Sequence, residues 1–117
     1  MQVLFKSRHP SATDLRDLAE QRVRFVLRRM GWMVPRAEVQ MSDVNGPRGG
    51  ADKRCQVELR TDGAGSVVVS SVASDWRTAL DNALARAARF LMRKWRRHTD
   101  SRRLRQRLDG ARAPGLD

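Results

Sequence analysis

The stretch from Asp75 to His98, DWRTALDNALARAARFLMRKWRRH, limits the fold more than any other part of the chain. Trp76, Leu80, Ala83, Ala87 and Leu91 recur at three- and four-residue steps, with Ala79, Leu84 and Trp95 close beside them. That spacing predicts one helix with a single apolar stripe. Ser74 or Asp75 can cap it, because a short side-chain oxygen there accepts an unpaired N–H of the first turn. At about 1.5 Å per residue the helix is roughly 36 Å long. Arg86, Arg89, Arg93 and Arg96 or Arg97 recur at the same steps and form a second stripe. No Asp or Glu lies between Asp81 and Asp100 to neutralise it. Like charges four residues apart destabilise an isolated helix by a few tenths of a kcal/mol per pair. A solvated face would explain an ordinary charge run; the absence of acidic partners here points to an anion outside the fold.

Charge supports the same reading for the whole chain. Its 117 residues carry a net charge of +11. A field of that sign and size attracts polyanions, either nucleic acid or an anionic membrane surface. The length suits one domain that can bury a modest core without disulfides or metal. With a single cysteine, Cys55, no internal disulfide forms, which fits a reducing compartment. The opening MQVLFKSRHP is too short an apolar run for a signal peptide, and no stretch approaches the ~20 apolar residues of a membrane span. The expectation is a cytoplasmic protein that does not engage a membrane.

Upstream, Met1 to Lys6 reads as a short strand with Val3 and Phe5 on one face. Ser11 or Thr13 then caps a helix to about Met30, with acids early (Asp14, Asp17, Glu20) and arginines late (Arg28, Arg29), as the helix dipole favours. Leu15, Ala19, Val23, Val26 and Met30 form its buried stripe, and Gly31 stops it. Residues 36 to 44 alternate, with Ala37, Val39 and Met41 inward. Asn45 to Lys53 is a flexible loop by composition. Lys53 to Thr61 alternates again, with Cys55, Val57 and Leu59 inward. Asp62-Gly63-Ala64-Gly65 is a turn. Ser66 to Val72 is a strand whose register stays open, because Val67, Val68 and Val69 run together.

The predicted fold is therefore α+β, β-α-β-β-β-α, with a four-stranded mixed sheet. A right-handed crossover makes the first two strands parallel, and hairpins make the others antiparallel. Polar residues along one side of each strand leave one sheet face bare, so both helices cover the other. The pattern decays after His98. Residues 1–98 form the domain, and 99–117, rich in arginine and broken by Pro114, form a basic, flexible C-terminal tail.

Two segments, DVNGPRGGADKRCQVEL (Asp43 to Leu59) and ASDWRTALDNALARAARFLMRK (Ala73 to Lys94), resemble the ribosome hibernation factors. These are the hibernation promoting factor and ribosome-associated inhibitor A group, also called sigma-54 modulation proteins. The resemblance covers about residues 1 to 98. The family shows Asp, a large apolar residue, an aromatic, any residue, then Ala-Ile-Asp, and later a basic–x–x–Arg–x–x–x–Lys run. This chain has Asp75, Trp76, Ala79, Leu80 and Asp81, then Arg86, Arg89 and Arg93. It departs at Arg77, where an aromatic is usual, and at Ala83 and Ala87, where larger aliphatics are common.

The resemblance implies a fold comparable to double-stranded-RNA-binding domains. It also implies a translation inhibitor on the small ribosomal subunit, in the messenger and transfer RNA channel, during stationary phase or stress. Long members add a C-terminal domain that pairs ribosomes. The chain looks like a short form without room for that domain, so any pairing falls to a separate ribosome-dimerising factor. The candidate RNA-binding residues are Arg22, Arg28, Arg29, Arg86, Arg89, Arg93, Lys94, Arg96 and Arg97, with Arg24, Arg48 and Lys53 as further contacts. Arginine suits this task because its planar fork binds phosphate bidentately and stacks on bases.

Other features offer no chemistry. The glycine-rich Asn45 to Gly50 lacks the Gly-Lys-Ser/Thr of a nucleotide-binding loop. His9, His98 and Cys55 make no metal cluster, and no nucleophile has a base and an orienting acid. Cys55 reads as a small buried hydrophobe. Trp95 reads as helix-edge packing, with base stacking as the functional alternative. No enzyme, cofactor or small-molecule substrate is expected. Two alternatives stay open: a general double-stranded RNA or DNA binder, and a modulator of a transcription factor.

Overall fold

A computed structural model describes residues 1–7, 12–44 and 52–112. The elements run β1 (Gln2–Ser7), α1 (Ala12–Val26), a single 3-10 turn (Gly31–Met33), β2 (Arg36–Asp43), β3 (Lys53–Arg60), β4 (Ser66–Ala73) and α2 (Trp76–Arg112). The sheet has four strands in the order β1-β2-β3-β4. β1 lies parallel to β2, and the remaining pairs are antiparallel. This is the α+β architecture that the alternation and the crossover rule predict.

The register brings apolar residues into rows across the sheet. Phe5 faces Val39, Val39 faces Val57, and Val57 faces Val69. Against those rows pack Leu15, Ala19, Val23 and Leu27 of the first helical segment and Ala79, Leu80, Ala83, Leu84, Ala87 and Leu91 of α2. Both helices thus cover one face. The alanines let α2 approach the strands closely. Burial of Val67 and Val69, with Val68 exposed, fixes the register of β4. Sequence could not fix it, since a run of three valines satisfies either face. Cys55 lies in this core, and burial pushes its thiol up to about 12, so it packs as a small hydrophobe.

The β3–β4 turn requires its glycines. Gly63 and Gly65 have φ of 91° and 83°, in the left-handed region. The turn is closed by Thr61, whose N–H and hydroxyl both donate to the Gly65 carbonyl at 3.0 and 2.6 Å.

Asp75 is the residue that caps α2. The Thr78 N–H and hydroxyl donate to its two carboxylate oxygens, each at 2.8 Å. These bonds, the backbone one foremost, hold its carboxyl below the usual value of 3.8. A carboxyl with a lowered folded pKa stabilises the fold above its unfolded pKa, and that contribution is lost as pH falls through the folded value. Asp75→Asn keeps a capping oxygen but not the charge. Urea unfolding of the wild type should therefore lose stability more steeply below about pH 4 than unfolding of Asp75→Asn. Parallel curves for the two proteins would remove the carboxylate from the account.

Two expectations need correction. α1 ends at Val26 rather than near Met30, and Leu27 to Met30 continue as turns closed by shorter bonds, such as Met30 N–H to the Leu27 carbonyl at 2.9 Å. Gly31 is no left-handed stop; it opens the 3-10 turn. The stretch after His98, expected as a flexible tail, is helical to Arg112. Arginine, leucine and glutamine are all good helix formers, and no glycine or proline interrupts them before Gly110. The Ser11 cap and the Asn45 to Gly50 loop lie outside the described residues.

Candidate nucleic-acid interface

The two helices run the same way where they meet. Arg22 of α1 donates to Asp81 of α2 at 2.9 Å, both side chains about one-third exposed. Further along, Met30 shares a shallow depression with Ala88, Arg89, Met92, Arg93 and Arg96 of α2. Arg28 and Arg29 immediately precede Met30. Met30 and the middle of α2 therefore share one surface, whose cations are Arg89, Arg93 and Arg96. Its centre is a small apolar floor.

The candidate cations differ in what already holds them. Arg29, Arg89, Arg96 and Arg97 are exposed and make no ion pair or hydrogen bond among the described residues. Arg93 is exposed and lies over the Phe90 ring at 5.6 Å. Arg28 lies over Phe25 at 4.5 Å and donates to the Phe25 carbonyl. All six keep most of their donors free for phosphate.

Other candidates are committed to the fold. Arg22 ties α1 to α2. Arg24 donates to Glu20 and to the Met1 carbonyl. Arg86 and Lys94 donate to the Ser70 and Ser66 carbonyls of β4 at 3.0 and 2.7 Å. β4 is an edge strand, and these two cations occupy carbonyls that another chain could otherwise pair with. Lys53 bonds Asp43 at 2.7 Å and Asp52 at 3.3 Å, and the Asp43 bond foremost raises its pKa. Its charge is met within the β2–β3 hairpin, far more than a free RNA contact would show. Arg48 lies outside the described residues.

The opposite sheet face is mixed in charge. Lys6 and Arg36 flank Glu38, at 2.9 and 3.9 Å, and Arg60 meets Glu58 at 3.5 Å. Lys6 foremost holds the Glu38 carboxyl below its usual value. Among the described residues, cations without a carboxylate partner are thus more numerous on the helical side.

Beyond the body, α2 continues through Arg102, Arg103, Arg105 and Arg107, all exposed. Two features were missed in the sequence. One is this basic helical extension. The other is Trp32, 72% exposed at the end of the α1 segment, with its ring edge-on to Trp95 at 5.2 Å. Trp32 belongs to no periodic pattern, and only its place beside Gly31, just past a helix, marks it.

Among the described residues no group of three or more His, Cys, Asp or Glu could hold a metal ion. No described helix is long and apolar enough to cross a membrane.

No protein-family model matches the chain, and no curated protein matches it in sequence. Solved structures do. A ribosomal subunit interface protein from Coxiella burnetii superposes with a TM-score of 0.63 at 13% identity, covering 80% of this chain and 96% of that one. The N-terminal domain of Protein Y from Thermus thermophilus gives 0.62 at 22% identity, covering 80% of this chain and 98% of that one. At those identities the likeness establishes the fold: over four-fifths of its length, this chain has the α+β fold of the ribosomal subunit interface protein and of the Protein Y N-terminal domain.

Proposed function

We propose that the chain is a ribosome-associated translation inhibitor of the hibernation promoting factor type. Its helical face binds small-subunit ribosomal RNA in the channel that messenger and transfer RNA would fill, during stationary phase or stress. Residues 1–98 form the ribosome-binding body, and the α2 extension adds positive charge. The observation that carries this reading is the surface on which Arg89, Arg93 and Arg96 gather around Met30, on a fold shared with a ribosomal subunit interface protein. Structured RNA is recognised mainly by shape and backbone, so a row of guanidinium groups on a rigid face is suited to it without any base-reading code. Because the arginines stand on packed helices, their spacing is set before binding, which lowers the ordering cost. Steric occupancy is the mechanism; no bond is made or broken.

The same surface suits a second reading, a general duplex binder, because phosphate contacts carry no sequence information. Sedimentation with purified small subunits, with bare duplex RNA as competitor, separates them. The protein should travel with the subunits, resist a duplex excess of equal phosphate, and yield to messenger with transfer RNA. Complete displacement by bare duplex would favour the general binder.

A further inference from the structure

Trp32 sits in a turn that its neighbours fix. Met33 and Val34, on its C-terminal side, are buried at 4% and 0% exposure. The Met33 N–H donates to the Met30 carbonyl at 3.0 Å, and the Val34 N–H to the Gly31 carbonyl at 3.2 Å. The Asp62 N–H donates to the Met33 carbonyl at 3.4 Å, which ties the turn to the β3–β4 hairpin. Within this pinned backbone the indole of Trp32 stands 72% exposed. Its ring meets Trp95 at 87°, and Trp95 in turn tilts against His98 at 5.7 Å. An edge-to-face contact of this kind orients the ring and is a favourable aromatic geometry. At 72% exposure it leaves most of the indole in water, where so large an apolar group gives the fold little.

Its partner ring, Trp95, stands on a strongly basic stretch of α2. Arg96 follows Trp95 and lines the depression that contains Met30. Arg102 lines a separate depression with His98 and Asp62. Two other exposed aromatics, Phe25 and Phe90, already have arginine over the ring, at 4.5 Å from Arg28 and 5.6 Å from Arg93. Among the described residues no cation lies over Trp32, and its contact is with another ring. A fixed, open indole packed on a basic helix matches the way proteins hold single-stranded RNA: cations on the phosphates, an aromatic face under a base.

We infer that Trp32 is a stacking platform for an unpaired RNA nucleobase, its flanking phosphates left to the cations that α2 carries on either side of Trp95. The site rests on the RNA-binding reading above and adds to it a preference for an unpaired nucleotide. Paired bases do not offer their faces, so duplex RNA gains nothing from the platform.

Binding of the full chain to an RNA hairpin with an unpaired loop, and to a blunt duplex of equal phosphate count, tests this. Trp32→Ala should weaken hairpin binding roughly 5- to 150-fold, the range that loss of one base stack gives. Duplex binding and the salt slope of both should stay as in the wild type, because stacking releases no counterions. Trp32→Phe, which keeps a ring, should recover part of the loss, and circular dichroism of both variants should match the wild type. Tryptophan fluorescence should be quenched by the hairpin in the wild type and far less in Trp32→Ala. Equal weakening on both RNAs, or no change on either, would overturn the platform while leaving the RNA reading intact. A wild type that binds neither RNA would overturn the platform; failure to travel with small subunits as well would overturn the RNA reading.

Discussion

Replacing Arg89, Arg93 and Arg96 together with glutamine should weaken binding to small ribosomal subunits about 100-fold at physiological salt, because three neutralised phosphates are lost. The three side chains border the Met30 depression and are exposed. The fold should survive. Surface changes of this kind usually stay within about 0.5 kcal/mol each, and only the contact of Arg93 with Phe90 is given up. Arg86 is left out because its bond to the Ser70 carbonyl makes it part of the β4 edge. The slope of log affinity against log salt should flatten by about 2 to 3 units. A matched set, Lys6, Arg54 and Arg60 to glutamine, removes the same charge from the bare sheet face. Two of those cations already meet Glu38 and Glu58. That set should change affinity far less. Equal losses from both sets would mean that net charge, not a placed surface, drives binding.

Leu91→Ala should destabilise the protein by about 2–5 kcal/mol. Leu91 is fully buried in the last apolar step that α2 makes onto the sheet. Truncation leaves a cavity under a helix whose neighbouring core positions on that side, Ala83 and Ala87, are already small and cannot reach in to fill it. Against a total stability of 5–15 kcal/mol, common for a domain of this size, the loss is large. The melting temperature should fall by roughly 10 °C or more. Leu104→Ala provides the comparison within the same helix. Leu104 is 56% exposed on the extension, so its removal should cost less than about 1 kcal/mol. Urea unfolding of both variants measures the difference. Similar small effects at both positions would contradict the packing of α2 described here.

The parts of the fold that repeat were legible in the sequence. Alternation at Ala37, Val39 and Met41 and at Cys55, Val57 and Leu59 marks β2 and β3, because a pleated strand sends every second side chain inward. The steps through Leu80, Ala83, Ala87 and Leu91 mark α2 for the same kind of reason. Where periodicity fails, the sequence is silent. Val67 to Val69 satisfy either face of β4, and only pairing with β3 decides. The extension of α2 has no apolar stripe to announce it, and its helix rests on intrinsic propensity.

The candidate site was legible as a pattern but not as a set of free charges. Arg86, Arg89 and Arg93 share a spacing, yet only the tertiary fold brings Ser70 to Arg86 and leaves Arg89 open. Arg22 is a candidate RNA contact in the sequence, yet the fold brings Asp81, 59 positions away, beside it. Trp32 lies outside every repeat, so its exposure could be known only from the burial of its neighbours.

The central claim is that the helical face, not the sheet face, meets ribosomal RNA. Site-specific photo-crosslinking to small subunits tests it most directly. A photoreactive side chain at Arg89 stands on the basic surface, and one at Arg54 stands on the opposite face; both positions are exposed. On irradiation the protein carrying it at Arg89 should become attached to small-subunit ribosomal RNA, and the protein carrying it at Arg54 should not. Attachment from Arg54 alone, or equally from both positions, would contradict the claim.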